Sequence, residues 1–68
     1  MHAAKLENSP RLQRLLSALS DGREYSTREL VKAAEVMAIN SAVDELRENG
    51  LDVGCERRGL YWYYQLMP

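Results

Sequence analysis

Apolar residues recur at helical spacing in the first third of the chain, where four leucines share one helical face. These residues are Leu12, Leu15, Leu16 and Leu19. Ser9 is a favoured N-cap residue, and the fixed φ of Pro10 suits a first helical turn. Gly22 follows the leucines as a natural stop. The pattern predicts a first helix over about Pro10–Ser20.

A second helix start follows soon afterwards. Ser26 places a hydroxyl at a cap position and Glu29 places a carboxylate three residues later, which is the capping-box pattern. The preceding segment, residues 23–25, is extended in character and can supply a short strand. The pattern therefore predicts that helix 2 begins at Ser26.

Residues 30–46 contain neither glycine nor proline, so the segment is compatible with one long helix and with two short helices. Two apolar stripes are present: Leu30, Ala34 and Met37, then Ile39, Val43 and Leu46. Successive helical residues are rotated by about 100°, so an unbroken helix would place the stripes on opposite faces. A turn near residues 34–36 lets both face one core. We therefore predict a third helix from about Met37 or Ala38 to Asn49, closed by Gly50.

The C-terminal third alternates between apolar and polar residues, as strands do. The alternation covers Leu51–Val53 and, for longer, Leu60–Leu66. Between them the residues GCERRG, 54–59, read as a glycine-bounded hairpin loop. One face of the second strand is predicted to join the core with Val53, namely Leu60, Trp62, Tyr64 and Leu66. The outward face carries Tyr61, Tyr63 and Gln65.

The predicted fold class is α+β, a winged helix-turn-helix of three helices followed by a β-hairpin wing, with a short strand between helices 1 and 2. Hydrophobic residues make up 46% of the chain and charged residues 28%, which is typical of a folded globular domain. We expect residues 1–8 to be a flexible N-terminus and residues 9–67 to form the domain.

The segment STRELVKAAEVMAINSAVDELRENGLDV resembles small winged helix-turn-helix domains of phage and prophage genes. Its second half, INSAVDELRENGLDV, is similar to the N-terminal DNA-binding domain of the biotin repressor, although the turn here is shorter by two residues. Tyr64 and Leu66 correspond to the closing residues of the family's last strand, and Glu35 stands about where a glycine is usual. The resemblance implies that the ligand is double-stranded DNA and that the protein is a phage-type transcriptional regulator.

The third helix of a helix-turn-helix lies in the DNA major groove. The residues expected to face bases are Met37, Ala38, Asn40, Ser41 and Asp44. Those expected to contact phosphates are Thr27, Arg28 and Lys32 on helix 2, and Arg57 and Arg58 at the tip of the wing. Tyr61 and Tyr63 are expected to stack on a sugar or base, to contact a protein partner or a second copy of the chain, or else to cover helix 1.

Charge argues against binding driven by bulk attraction to phosphates, because the formal net charge is −1. Between Glu35 and Asp52 one arginine stands against five carboxylates, a balance of −4. An alternative is therefore a non-catalytic protein-interaction module. It would dock on a basic protein through an acidic face of Asp44, Glu45 and Glu48, or through the aromatic C-terminal strand.

The chain has one histidine, His2, and one cysteine, Cys55. A catalytic triad, a multi-ligand metal site and a disulfide framework are therefore not expected within one chain. No glycine-rich phosphate loop is present. We expect no enzyme activity, cofactor or small-molecule substrate. No apolar run approaches the ~20 residues of a membrane span, and the N-terminus lacks a signal-peptide pattern, so we expect a cytoplasmic protein without membrane contact.

Overall fold

Helices and strands follow the order α1–β1–α2–α3–β2–β3 along the chain. The structure, a computed structural model, describes residues 5–68. The helices are α1 (Pro10–Leu19), α2 (Thr27–Ala34) and α3 (Ile39–Glu48), and the strands are β1 (Tyr25–Ser26), β2 (Val53–Arg58) and β3 (Tyr61–Leu66). The strands form one antiparallel sheet in the order β1–β3–β2. This confirms a small α+β domain with three helices, a short strand between the first two and a C-terminal hairpin.

The first two helices begin at the predicted caps. The Leu12 backbone N–H donates to Ser9 Oγ at 3.3 Å. At α2, the Glu29 N–H donates to Ser26 Oγ at 3.2 Å and the Ser26 N–H donates to Glu29 Oε1 at 3.0 Å. The capping box predicted from the sequence is therefore complete.

The predicted break between the second and third helices is confirmed at Glu35. This residue has φ 55° and ψ 39°, the left-handed conformation that often ends a helix. Arg14 on α1 supports the same end, because its Nε donates to the Ala34 carbonyl oxygen at 2.9 Å. Four residues later α3 begins, and Ile39 is buried against the core with Leu30 and Ala34.

The end of α3 is a Schellman motif. The Leu51 N–H donates to the Leu46 carbonyl at 3.1 Å, and the Gly50 N–H donates to the Arg47 carbonyl at 3.0 Å. This geometry requires the positive φ of 90° at Gly50. Leu51 packs against the core beyond the turn, so the predicted helix stop is confirmed.

The core lies between the three helices and one face of the sheet. Its buried apolar residues are Leu12, Leu15, Leu19, Leu30, Ala34, Val36, Ile39, Ala42, Val43, Leu46, Val53 and Tyr64. Both predicted stripes contribute to it, except for Met37, which is exposed. Met37 lies in the non-helical link before α3, where helical phase no longer determines which side it faces.

The predicted flexible N-terminus falls only partly within the described residues, since residues 1–4, His2 among them, lie outside. Residues 6–8 form a single 3-10 turn. The Leu6 N–H donates to Asn49 Oδ1 at 2.9 Å, and the Leu6 side chain packs against the core. The turn thus joins the start of α1 to the end of α3.

The hairpin is longer than predicted, and the expected loop at residues 54–59 is wrong. β2 continues to Arg58, so only Gly59 and Leu60 form the turn. Gly59 has φ 62° at the first central position, as a type II′ turn requires. The sequence pattern did not indicate this extension, because residues 54–58, GCERR, lack an apolar alternation. Apolar and polar residues alternate along a strand only where another layer buries one of its faces.

Two predicted core residues of the hairpin are also placed wrongly. Leu60 is 86% exposed at the turn, and Trp62 is 45% exposed. Trp62 does share a face with the buried Tyr64, as the alternation indicates. The core ends near Tyr64, however, and the remaining arm of the hairpin extends past the packed layer. The alternation therefore predicted correctly that Trp62 and Tyr64 share a face, but it predicted wrongly that Leu60 and Trp62 are buried.

Candidate nucleic-acid interface

An open groove of about 340 Å³ separates α3 from the hairpin. The start of α2, one side of α3 and the core-facing side of the hairpin meet there. The lining residues are Thr27, Asn40, Val43, Asp44, Arg47, Cys55, Trp62 and Tyr64. The groove therefore has an aromatic and apolar floor with amide, hydroxyl, carboxylate and guanidinium groups around it.

Strand register builds the hairpin wall of the groove. Cys55 lies opposite Tyr64, and Arg57 lies opposite Trp62. Directly opposed residues of antiparallel strands point to the same face, so Arg57 and Trp62 continue the face that lines the groove. Thr27 Oγ1 donates to the Trp62 carbonyl at 3.4 Å, which joins this wall to the first turn of α2.

The α3 wall consists of Asn40, Asp44 and Arg47, which are spaced as one helical face. Arg47 donates to the Val53 carbonyl from Nε at 3.0 Å and from Nη2 at 2.7 Å, and to Asp44 Oδ1 at 3.1 Å. A hydrogen bond with the Cys55 side chain is the main cause that raises the pKa of Arg47, and Asp44 adds to it. Arg47 therefore stays cationic while it holds α3 against β2.

The predicted acidic face of the third helix is only partly present. Glu45 is half-buried and forms an ion pair with Arg11 on α1, so it faces the neighbouring helix. Asp44 is paired with Arg47. Glu48 remains exposed. The expected cluster of three solvent-facing carboxylates is therefore wrong, because helix packing turns Glu45 towards a cation.

The two adjacent arginines of β2 have different surroundings. Arg58 donates to Glu24 at 2.5 and 2.7 Å and to Glu56 at 3.0 Å. Its guanidinium carbon lies 4.9 Å from the ring centroid of Tyr63. Glu56 and then Glu24 raise the pKa of Arg58. These contacts lay Arg58 across the outer face of the sheet, away from the groove.

Arg57 points to the opposite face and is not neutralised. Its Nε donates to the Gly59 carbonyl at 3.2 Å. Within residues 5–68 no carboxylate forms an ion pair with it. Adjacent residues of a strand point to opposite faces. Arg58 is therefore held in ion pairs on the outer face, and Arg57 is available to a ligand on the groove face.

The structure brings together only some of the predicted site residues. Thr27, Asn40 and Asp44 meet in the groove, with Arg57 on the same face of the hairpin. The others are exposed outside the groove lining: Arg28 and Lys32 on α2, Met37 and Ala38 before α3, and Ser41 on α3. Tyr61 and Tyr63 lie on the other face of β3, where Tyr61 is exposed and Tyr63 is half-buried.

Sequence reasoning missed Arg47, Cys55 and Trp62 as groove residues. The spacing of Asn40, Asp44 and Arg47 at i, i+4 and i+7 is a signal that could have found Arg47. The positions of Cys55 and Trp62 in the groove depend on the register of the hairpin. That register was not predicted, because residues 54–59 were expected to form a loop.

No protein-family model matches the chain, and no curated protein or solved structure matches it. Within residues 5–68 no group of three or more His, Cys, Asp or Glu side chains is arranged to hold a metal ion. Over the same part of the chain, none of the helices is long and apolar enough to cross a membrane.

Proposed function

We propose that this chain is a winged helix-turn-helix protein that binds double-stranded DNA, with α3 in the major groove and the β2–β3 hairpin as the wing. The observation that carries the proposal is the groove between α3 and the hairpin. When a helix enters the major groove, a sugar-phosphate strand runs beside it. The groove offers that strand the Thr27 hydroxyl and an aromatic wall, and it offers the bases the Asn40 amide.

The proposed contacts use side chains of the groove and exposed side chains beside it. Asn40 is the first candidate for base readout, because an amide can bond adenine in a bidentate manner. Met37, Ala38, Ser41 and Asp44 are further base-facing candidates near it. Thr27, Arg28, Lys32 and Arg57 are assigned to phosphates, which set register without reading sequence. Arg58 is assigned to holding the hairpin in place.

The excess of carboxylates on α3 opposes binding to phosphates, and ion pairs within the domain reduce this opposition. Two of the three carboxylates on α3, Asp44 and Glu45, have arginine partners within the domain. Among the described residues, the cations of the proposed site that form no ion pair are Arg28, Lys32 and Arg57. Since the salt slope is about −0.9 per neutralised phosphate, we expect a slope of about −3 for duplex DNA.

Fluorescence anisotropy of labelled random duplex at low salt tests the proposal. Arg57→Ala should weaken binding to all sequences and reduce the salt slope by about 1. Arg23→Ala, in the exposed loop before β1, is the control with the same loss of charge and should change the slope less. Asn40→Ala should relax the sequence preference in selection from a random pool. An unchanged anisotropy on titration, or equal slopes for Arg57→Ala and Arg23→Ala, would contradict the proposal.

A second candidate function, protein association, is favoured by the outer face of the sheet. Tyr61 is 51% exposed there. A shallow depression of about 170 Å³ there is lined by Glu24, Gly54, Cys55, Glu56, Tyr63, Gln65 and Met67. Aromatic residues are enriched in protein interfaces. Because Asp44 and Glu45 are already paired with arginines, the acidic face of α3 suits a basic protein less well than this face suits a second copy of the chain.

Sedimentation velocity tests association through the outer face. If two copies pair there, Tyr61→Ser should shift the wild-type dimer towards the monomer, whereas Arg57→Ala on the opposite face should not. A wild-type chain that remains monomeric over a wide concentration range would remove this candidate.

A further inference from the structure

The tip of the hairpin is apolar where turn residues are usually polar. Leu60 occupies the second central position of the turn and is 86% exposed. Two-residue hairpin turns favour residues such as glycine, asparagine, aspartate and serine. The next two residues of β3 are also exposed, Tyr61 on the outer face of the sheet and Trp62 on the face of the groove. A leucine in this position contributes nothing to the core, so its apolar surface is available to a ligand.

Positive charge accompanies the exposed leucine. Residues 57–62, RRGLYW, contain two arginines and no carboxylate. The hydrogen bond from Arg57 Nε to the Gly59 carbonyl holds that guanidinium beside the turn. Arg58 is drawn back towards Glu24. The apex of the turn therefore presents the Leu60 side chain next to Arg57, which forms no ion pair within residues 5–68. A surface complementary to this tip must be both apolar and negative.

We propose that Leu60 is a wedge that enters the DNA minor groove beside Arg57 and partly unstacks a base step, so that the bound duplex is bent. This inference rests on the proposed DNA-binding function. Proteins that kink DNA insert leucine and similar side chains between base steps from the minor groove. The negative potential of that groove attracts an inserted arginine.

The shape of the tip fits this ligand. The minor groove is about 6 Å wide. A turn of only two residues, one of them glycine, places a single side chain at the apex. Trp62 lies on the inner face of the hairpin, towards the groove beside α3. It is thus placed to pack on the sugar-phosphate strand while the tip enters the adjacent minor groove.

A wedge must also resist bending back, because unstacking a base step costs free energy. The bidentate ion pair between Arg58 and Glu24 braces the outer side of the hairpin. The Tyr63 ring beneath the Arg58 guanidinium adds to the brace. On the inner side, Arg47 holds the base of β2 through the Val53 carbonyl. The hairpin is therefore held to the segment before β1 on its outer face and to α3 on its inner face.

Ligase-catalysed ring closure of a mixed-sequence duplex of about 120 base pairs measures the bend. Such a fragment is shorter than the persistence length of about 150 base pairs, so it closes slowly unless a protein bends it. We expect the wild-type chain to raise the closure rate about tenfold. Leu60→Ser and Leu60→Asn, which keep a turn-compatible residue, should lose most of this increase. Leu60→Met, which keeps an apolar side chain, should retain it.

Met67→Ser is the matched control, because Met67 is an exposed apolar residue away from the tip. It should bend DNA as the wild type does. Circular dichroism confirms that each variant is folded, and anisotropy on the same duplex measures binding separately from bending. We expect the polar Leu60 variants to bind DNA at low salt within a few-fold of the wild type.

The outcomes separate the wedge from the proposed function. Binding without any increase in ring closure, or equal closure with Leu60→Ser and wild type, would overturn the wedge and leave DNA binding intact. No binding to duplex would overturn both. Leu60-dependent binding to phosphatidylserine vesicles, with unbent DNA, would assign the tip to a membrane surface instead.

Discussion

Glu35 determines how α2 is followed by α3. Its φ of 55° and ψ of 39° place an L-residue in the left-handed region, which costs roughly 1–2 kcal/mol for most side chains. Glycine avoids this cost because it has no Cβ. The domain tolerates a glutamate there because the turn allows the buried faces of both helices to share one core.

The strain at Glu35 leads to a stability prediction. Glu35→Gly should exceed Glu35→Ala in free energy of unfolding by about 1 kcal/mol, since both variants lack the carboxylate but only alanine retains a Cβ. Urea denaturation measures the difference. Lys32→Gly, at an exposed position inside α2, is the contrasting control and should lose about 1 kcal/mol. Equal stability of the glycine and alanine variants at position 35 would argue that the left-handed turn carries no strain.

Among the elements, α2 and α3 differ in how their first turns are held. Both capping interactions are made at the start of α2. In contrast, α3 begins after Ala38, which has no side-chain oxygen to accept from the first backbone N–H groups. Packing of Ile39 and Val43 in the core therefore holds the first turns of α3 in place of a cap.

A new cap should stabilise α3. Ala38→Ser should raise the free energy of unfolding by about 0.5–1 kcal/mol, because a hydroxyl at the N-cap accepts from an otherwise unpaired N–H group. Ser26→Ala, which removes the existing cap of α2, should lower it by about 1 kcal/mol. Chemical denaturation measures both. A loss of stability in Ala38→Ser would contradict the assignment of Ala38 as the N-cap.

The hairpin shows where pattern reasoning fails at this scale. Alternation in LYWYYQL identified the strand and its two faces correctly. It also assigned Leu60 and Trp62 to the core, although the packed layer ends near Tyr64. Hydrophobic periodicity indicates which residues share a face, but it does not reveal how far another layer extends over that face.

At the scale of the whole molecule, polar contacts connect the helical layer to the sheet. Gln65 donates to the Gly22 carbonyl at 2.7 Å, and Tyr25 donates its hydroxyl to Asp21. The Tyr25 contact is the main cause that lowers the pKa of Asp21, and the backbone N–H of Arg23 adds to it. These bonds join the end of α1 to β1 and β3.

The Asp21 contact predicts a pH dependence. A carboxyl whose pKa is lower in the folded than in the unfolded chain stabilises the fold when ionised. Its contribution is present above about pH 4, the unfolded value, and is lost as the pH falls through the folded pKa. In Tyr25→Phe, the pKa of Asp21 should rise towards its ordinary value in an NMR titration. The stability difference from wild type should shrink in acid. An unchanged Asp21 pKa would exclude the hydroxyl as its cause.

Caps and apolar phase are local properties of the chain, so the sequence alone predicted the starts of α1 and α2, the bend at Glu35 and most of the core residues of the helices. It also singled out Thr27, Asn40, Asp44 and Arg57. Tertiary structure alone decided the groove, the pairing of Glu45 with Arg11 and the separation of Arg57 from Arg58. Each of these depends on residues distant in sequence, and on the register and reach of the hairpin over the helices, which no local pattern encodes.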